Sequence, residues 1–159
     1  MYANTHYVNY YYPVYDHSFI RQNRNNSSID NILKAILNGI SSEASAIDFY
    51  TRLAKAAETS EQRQAIEHAL EDEKIHLRTF TQLYQTLTGK KPVYQTKITR
   101  FRNFQEGLRI AYEQELEAYE TYRDNYLSTQ DPMIRDAFFR AMTDEIEHAL
   151  RFSHVLNKK

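Results

Sequence analysis

Two stretches of the sequence place Glu and His three residues apart. EDEKIHLRTF at 71–80 holds Glu73 and His76, and DEIEHALRF at 144–152 holds Glu145 and His148. Side chains three apart on a helix point about 60° from one another around the axis, so each pair converges on one centre. Both pairs interrupt apolar stripes. Ile66, Ala69, Phe80, Leu83 and Leu87 surround the first, and Ile134, Phe138, Ala141, Phe152 and Val155 the second. Glu43 and Glu115 fall in apolar stripes as well. Buried carboxylates repel, and each desolvated charge is costly, so something positive must lie among them. Four Glu and two His form a ligand set for two transition-metal ions held by bridging carboxylates.

The two motifs are copies. At a constant offset of 72 positions (43 to 115) Glu43 meets Glu115, Tyr50 meets Tyr122, Ala69 meets Ala141 and Phe80 meets Phe152. Asp72-Glu73-x-x-His76 meets Asp144-Glu145-x-x-His148 without a gap. Each half is one helical hairpin carrying Glu…Tyr and then Asp-Glu-x-x-His. A ligating His usually donates its other N–H to an acceptor. Asp72 and Asp144 are the candidates, each serving the His of the opposite hairpin. Tyr50 and Tyr122, two turns after Glu43 and Glu115, either hydrogen-bond a ligand carboxylate or fill the core as amphipathic aromatics.

Positioning these groups requires four helices. Ser28 is the expected N-cap of a first helix over about 29–57, with Leu33, Ile36, Ile40, Ile47, Tyr50 and Ala54 inward. Thr59 and Gln62 form a capping box that opens a second helix over about 60–88, which Gly89 stops. A third helix over about 103–127 turns Leu108, Ala111, Tyr119 and Tyr122 inward. Asp131-Pro132 starts a fourth over about 132–156. Short loops make helices 1–2 and 3–4 antiparallel hairpins. The roughly 14-residue segment between helices 2 and 3 reaches about 46 Å, against about 44 Å for a 29-residue helix. It can therefore cross the bundle and leave helices 2 and 3 parallel, an all-α bundle with one long crossover.

Composition limits the alternatives. A chain of 159 residues suits one domain, and only three Gly and three Pro favour helix. The formal charge of −1 gives no bulk attraction to nucleic acid. No apolar run is long enough for a membrane span, and no secretory signal is evident, so a cytoplasmic protein is expected. The absence of cysteine excludes thiolate metal sites, iron–sulfur clusters and a Cys nucleophile. Residues 1–28 read as an extended or disordered tail before a bundle at 29–157. Six of the thirteen tyrosines lie in the first fifteen residues. His6 and His17 in the tail receive no role, and Glu113, Glu117, Glu120, His68 and His154 are placed on solvated faces.

Over about residues 30–157 the sequence resembles the ferritin-like superfamily, and in particular small rubrerythrin-like di-iron carboxylate proteins lacking the rubredoxin domain. The resemblance rests on Glu43 with Tyr50, Asp72-Glu73-x-x-His76, Glu115 with Tyr122, and Asp144-Glu145-x-x-His148. It implies a ferritin-like four-helix bundle binding two metal ions, iron by family, with manganese or zinc also suited to these donors. Glu43 and His76 would hold one ion, Glu115 and His148 the other, and Glu73 and Glu145 would bridge. Rubrerythrins carry a further Glu where this chain has Ala118, so the symmetric set looks more like the bacterioferritin centre. The implied function is oxidoreductase chemistry toward peroxide or O₂, of peroxidase or ferroxidase type, with an external electron donor and a homodimeric protein. The alternatives are iron storage and a non-catalytic, spore-coat-associated structural role in which the tyrosine-rich tail is cross-linked.

Overall fold

The computed structural model describes residues 26–158. Four helices follow in order: α1 Asn26–Ala56, α2 Ser60–Thr88, α3 Phe104–Leu127 and α4 Pro132–Asn157. No strand occurs among the described residues.

The helix boundaries are written in local chemistry. Thr59 Oγ1 accepts from the Gln62 amide at 3.2 Å while the Gln62 side chain accepts from the Thr59 amide, also at 3.2 Å. That reciprocal pair satisfies donors the first turn would otherwise leave open. Gly89 ends α2 at φ 70°, a left-handed position that favours glycine. Asn103 caps α3 by accepting from the Glu106 amide at 2.9 Å. Asp131 Oδ1 accepts from the amides of Met133 and Ile134, with Pro132 opening α4.

One boundary differs from expectation. Ser28 is not the N-cap, because α1 already runs from Asn26. Nothing in Asn26-Ser27-Ser28 breaks a helix, and each added residue costs little once the helix is nucleated. The described helix thus begins three residues before the expected start at 29. Residues 1–25, with the tyrosine-rich segment, His6 and His17, lie outside the described residues.

α1 packs extensively on α2, and α3 on α4, as two antiparallel hairpins. α2 also meets α4, while α1 and α3 scarcely touch. The segment 89–103 runs up along α1. Ser41 Oγ donates to the Gln95 carbonyl, the Lys97 amide donates to Ser45 Oγ at 2.9 Å, and Arg52 Nη2 donates to the Thr99 carbonyl at 2.9 Å. The crossover thus spans the bundle and makes α2 and α3 parallel.

The apolar core falls into two clusters. One gathers Leu53, Ile66, Leu108 and Phe152, and the other Ile36, Ile40, Phe80, Ile134 and Phe138. Between them lies a layer of buried carboxylates and imidazoles. Four residues expected inward, Leu33, Ile47, Leu87 and Tyr119, are only half-buried. Ile32, Phe49 and Leu53 take core positions on α1 instead. For Leu33 the cause is the 3.6-residue period: Ile32, Ile36, Ile40 and Glu43 form the innermost line, and a residue one step away falls on its flank. Tyr119 lies beside the Arg123 guanidinium, 5.7 Å from its ring centre.

Gly107, at the start of α3, has no room for a side chain. A Cβ there would stand 2.5 Å from Leu53 Cδ1 and 3.1 Å from Phe101 Cγ. Gly107→Val is expected to destabilise the fold by about 1–3 kcal/mol through overpacking. Chemical denaturation of the two proteins checks this, and equal midpoints would contradict the packing described.

Candidate metal centre

Each hairpin contributes three groups to the polar layer: Glu43, Glu73 and His76 from the first, and Glu115, Glu145 and His148 from the second. All six are almost completely buried. They lie there because each sits in register with the apolar line of its helix, so packing that line carries them inward.

The groups cross-connect with approximate twofold symmetry. His76 Nδ1 lies 3.1 Å from Glu73 Oε2, and His148 Nδ1 lies 3.2 Å from Glu145 Oε2. On the outer edge of each ring, His76 Nε2 is 3.0 Å from Asp144 Oδ2, and His148 Nε2 is 3.1 Å from Asp72 Oδ2. Each aspartate thus reaches the histidine of the opposite hairpin. An aspartate accepting from Nε2–H fixes the tautomer that turns the Nδ1 lone pair toward the centre. The tyrosines cross over as well. Tyr50 Oη donates to Glu115 Oε1 at 2.6 Å, and Tyr122 Oη donates to Glu43 Oε1. Tyr50 packs on Phe152 and Phe80 on Tyr122, which are images of one another under the internal repeat.

Within the layer two groups of donors lie close enough to hold one ion each, and a third, of His68, Asp72 and His148, stands at its edge. Glu43, Glu73, His76 and Glu145 offer atoms all within 4.8 Å of one another, as do Glu73, Glu115, Glu145 and His148. Glu73 and Glu145 belong to both. The six sequence candidates are thus gathered at one level, with Asp72 and Asp144 behind the histidines and Tyr50 and Tyr122 behind the outer glutamates.

The electrostatics call for a cation. Burial pushes the Glu43 and Glu115 carboxyls well above the carboxylate range, and the charges of Glu73 and Glu145 add to the rise. Burial also acts to raise Glu73, but hydrogen bonds from His148 and His76 outweigh it and hold Glu73 low. Burial opposes protonation of the imidazoles, yet their carboxylate neighbours prevail and raise both His76 and His148. Burial, and then the adjacent Glu115 and Glu43 charges, raise Tyr50 and Tyr122, so both phenols keep the proton they donate. One atom remains unsatisfied. Glu145 Oε1 is buried without a hydrogen-bond partner, its 3.4 Å approach to His76 Nδ1 lacking hydrogen-bond geometry. An orphaned carboxylate oxygen within a layer of four carboxylates and two imidazoles fits bound metal, which would take the direction the missing donor leaves open.

A cleft of about 370 Å³ leads to this layer between α1 and α3. Small residues, Ala46 and Ala118, line the cleft and leave it unfilled, and Glu43, Glu73, Glu115 and Glu145 line it as well. Its walls include Ser41, Ser45, Gln114 and, from the crossover, Lys97 and Thr99. Reading the helices alone misses these crossover residues, although the serines beside Glu43 are a signal. The sequence also underrates His68. It is partly exposed, as expected, but its ring packs edge-on against His148 at 5.9 Å.

Fold and donor set together define a ferritin-like bundle with a carboxylate- and histidine-lined layer suited to two metal ions. The chain belongs to the rubrerythrin family, whose family model, described as Rubrerythrin, matches residues 34–156. The uncharacterized protein YhjR of Bacillus subtilis (strain 168) is 35% identical over 128 residues, covering 80% of this chain and 88% of that protein. A structure described as ferritin-like, diiron-carboxylate proteins from Bacillus anthracis str. Ames superposes with a TM-score of 0.72 at 17% identity, covering 84% of this chain and 100% of that one. The bacterioferritin-related protein of Bacteroides fragilis, described as a dodecameric thioferritin, gives a TM-score of 0.72 at 17% identity over 80% of this chain and 85% of that one.

The raised pKa values of Glu43, Glu115, His76 and His148 fix the sign of one pH dependence. Protons occupy the places a metal would take, so metal uptake must expel them. Metal binding is expected to release protons and to tighten as pH rises. Titration calorimetry in two buffers of different ionisation enthalpy measures the count, and identical heats in both would contradict the prediction.

Proposed function

We propose that the protein binds two iron ions in the polar layer and uses them in oxidoreductase chemistry toward peroxide or O₂, with electrons from an external donor. Glu43 and His76 serve one ion, Glu115 and His148 the other, and Glu73 and Glu145 both. The observation that carries this reading is the cleft, which reaches the carboxylate side of the layer. A purely structural metal site is closed by its ligands, whereas a reactive one keeps an open approach.

Iron, when bound by these residues, would pass electrons from the external donor to the oxidant. The chain supplies the setting. Tyr50 and Tyr122 anchor Glu115 and Glu43 by donating to one oxygen of each, leaving the other for the metal. Asp72 and Asp144 hold the imidazoles in register. Ala118, facing the cleft, leaves room where a further glutamate would crowd the approach. The polar mouth formed by Ser41, Ser45 and Gln114 admits a small polar oxidant more readily than a bulky apolar one. Among the described residues no helix is long and apolar enough to cross a membrane, which accords with a cytoplasmic enzyme. A homodimer is part of the proposal, and the exposed Val93 and Ile98 of the crossover offer apolar surface for it.

Elemental analysis and anaerobic Fe(II) titration should give two ions per chain in the buried layer, and the loaded protein should consume peroxide. Glu73→Ala removes a donor common to both groups and is expected to abolish iron retention and peroxide consumption. Unchanged consumption by that variant would sink the proposal. Retention of manganese or zinc in preference to iron would redirect it to a different metal.

A further inference from the structure

The internal repeat fails along the outer face of α4. Phe139, Thr143, Ile146 and Leu150 fall within about 60° of one another around that helix. Their sector turns away from the buried line of α4, and Phe139 is 46% and Leu150 66% exposed. Tyr126 packs on Phe139 at 5.8 Å and extends the stripe onto the end of α3. The matching positions on α2 are Glu67, Glu71, Lys74 and Arg78, a charged face on which Lys74 pairs with Glu71 at 2.5 Å. Two hairpins of one design therefore show solvent a charged face on one helix and a largely apolar one on the other. Single exposed apolar residues are ordinary, whereas a continuous stripe marks a contact surface.

The flank of the stripe says what the partner is. Asp136, Arg140, Glu147 and Arg151 stand in line beside it and read acid, base, acid, base. Arg140 pairs with Asp136 at 3.1 Å and Arg151 with Glu147, and all four side chains are 39–46% exposed. The matching positions on α2 are Gln64, His68, Ile75 and Thr79, which carry no such alternation. The order on α4 is complementary to its own reverse. When a second α4 lies antiparallel across the first, with the twofold axis between Thr143 and Asp144, Arg140 stands level with Glu147 of the second copy, and Asp136 with Arg151 of the second copy. A twofold axis makes each of these contacts twice. In the same register Phe139 falls between Ile146 and Leu150 of the second copy, as a knob enters a hole. A slip of one turn either way sets Asp136 level with Glu147, or Arg140 level with Arg151, and like charges oppose it.

We propose that a second copy of this chain docks on the outer face of α4, antiparallel, about a twofold axis beside Thr143. This gives the homodimer inferred above a surface and rests on that part of the reading, but on no metal. The surface is separate from the apolar crossover residues Val93 and Ile98, which belong to the segment that runs beside α1, a helix that does not touch α4. The pattern spans residues 136–151, about 24 Å of helix. A contact of that length lies at the small end of specific interfaces, so the dimer dissociates on dilution. The cleft opens between α1 and α3, away from this face, and stays accessible in the pair.

The test is sedimentation velocity of the full chain over a concentration series, beside Leu150→Arg, which copies Arg78 of α2. Because Leu150 is largely exposed, the variant should fold, and circular dichroism checks that it does. The expected result is a concentration-dependent dimer whose dissociation constant rises at least about tenfold in the variant. Disulfide trapping reads the register. The chain has no cysteine, so Thr143→Cys, beside the axis, is expected to link to its copy on mild oxidation, while Glu71→Cys, the matching position on α2, is not. A wild-type chain that stays monomeric overturns both this surface and the homodimer. A dimer untouched by Leu150→Arg but broken by Ile98→Glu overturns the α4 surface and leaves the homodimer standing. Equal linking of the two cysteine variants, or none, overturns the twofold register.

Discussion

Glu43, Glu73, Glu115 and Glu145 lie together in a layer from which water is largely excluded, and the cost of that layer governs what surrounds it. An ionised carboxylate taken out of water costs several kcal/mol even after relaxation. Two like charges about 4 Å apart add about 4 kcal/mol of repulsion at the effective dielectric of a protein. A charge-assisted hydrogen bond returns only about 1.5–3 kcal/mol. The layer answers this by holding Glu43 and Glu115 toward the protonated form and the two imidazoles toward the charged one, yet Glu145 Oε1 is left without any donor. Divalent ions cancel the repulsion directly. The two imidazoles, the cross-hairpin aspartates and the paired tyrosines follow from this, since each aims a donor, or supports one, around the same deficit.

The same layer explains how the core is divided. Apolar clusters lie on both sides of it, with Phe152 and Ile66 in one and Phe80 and Phe138 in the other. They fix the helices, and the helices fix the height of the carboxylates. Gly107 allows α3 to start close against Leu53 and Phe101, while farther along the bundle the short side chains of Ala46 and Ala118 leave the cleft between α1 and α3 unfilled. Close packing at one end and separation in the middle give a rigid frame with an opening at the level of the charges.

Much of this was legible in the sequence because the repeat made it so. A single Glu-x-x-His resembles an ordinary surface pair, but two at one offset, each in a stripe that should be apolar, have no packing explanation. The capping pair Thr59 and Gln62, the stop at Gly89 and the Asp131-Pro132 start were readable because each has a local physical signature. The start of α1 was not, since Asn26, Ser27 and Ser28 suit either a cap or a first turn. Nor was Leu33 resolved from Ile32, as a stripe wider than 100° leaves its edges ambiguous by one residue. Tyr50 and Tyr122 were left between core and ligand support, because nothing in the sequence says which carboxylate a tyrosine meets. His68 and the cleft-lining Lys97 and Thr99 were missed for a related reason. They matter only through contacts between elements distant in the chain.

The crossover at 89–103 has a meaning beyond topology. Each donor group for an ion draws on both hairpins, so a hairpin alone is half of a binding device that needs a second copy of itself. The chain is in this sense a homodimer of hairpins joined by a tether. Without the tether, assembly would be bimolecular and would fail on dilution. With it, each half meets the other at an effective concentration on the order of millimolar, whatever the abundance of the protein. The tether also frees the two halves to diverge, because a residue altered in one is no longer copied into the other. His68 opposite Arg140, and Glu147 opposite Ile75, are differences that a true symmetric dimer of identical hairpins could not carry.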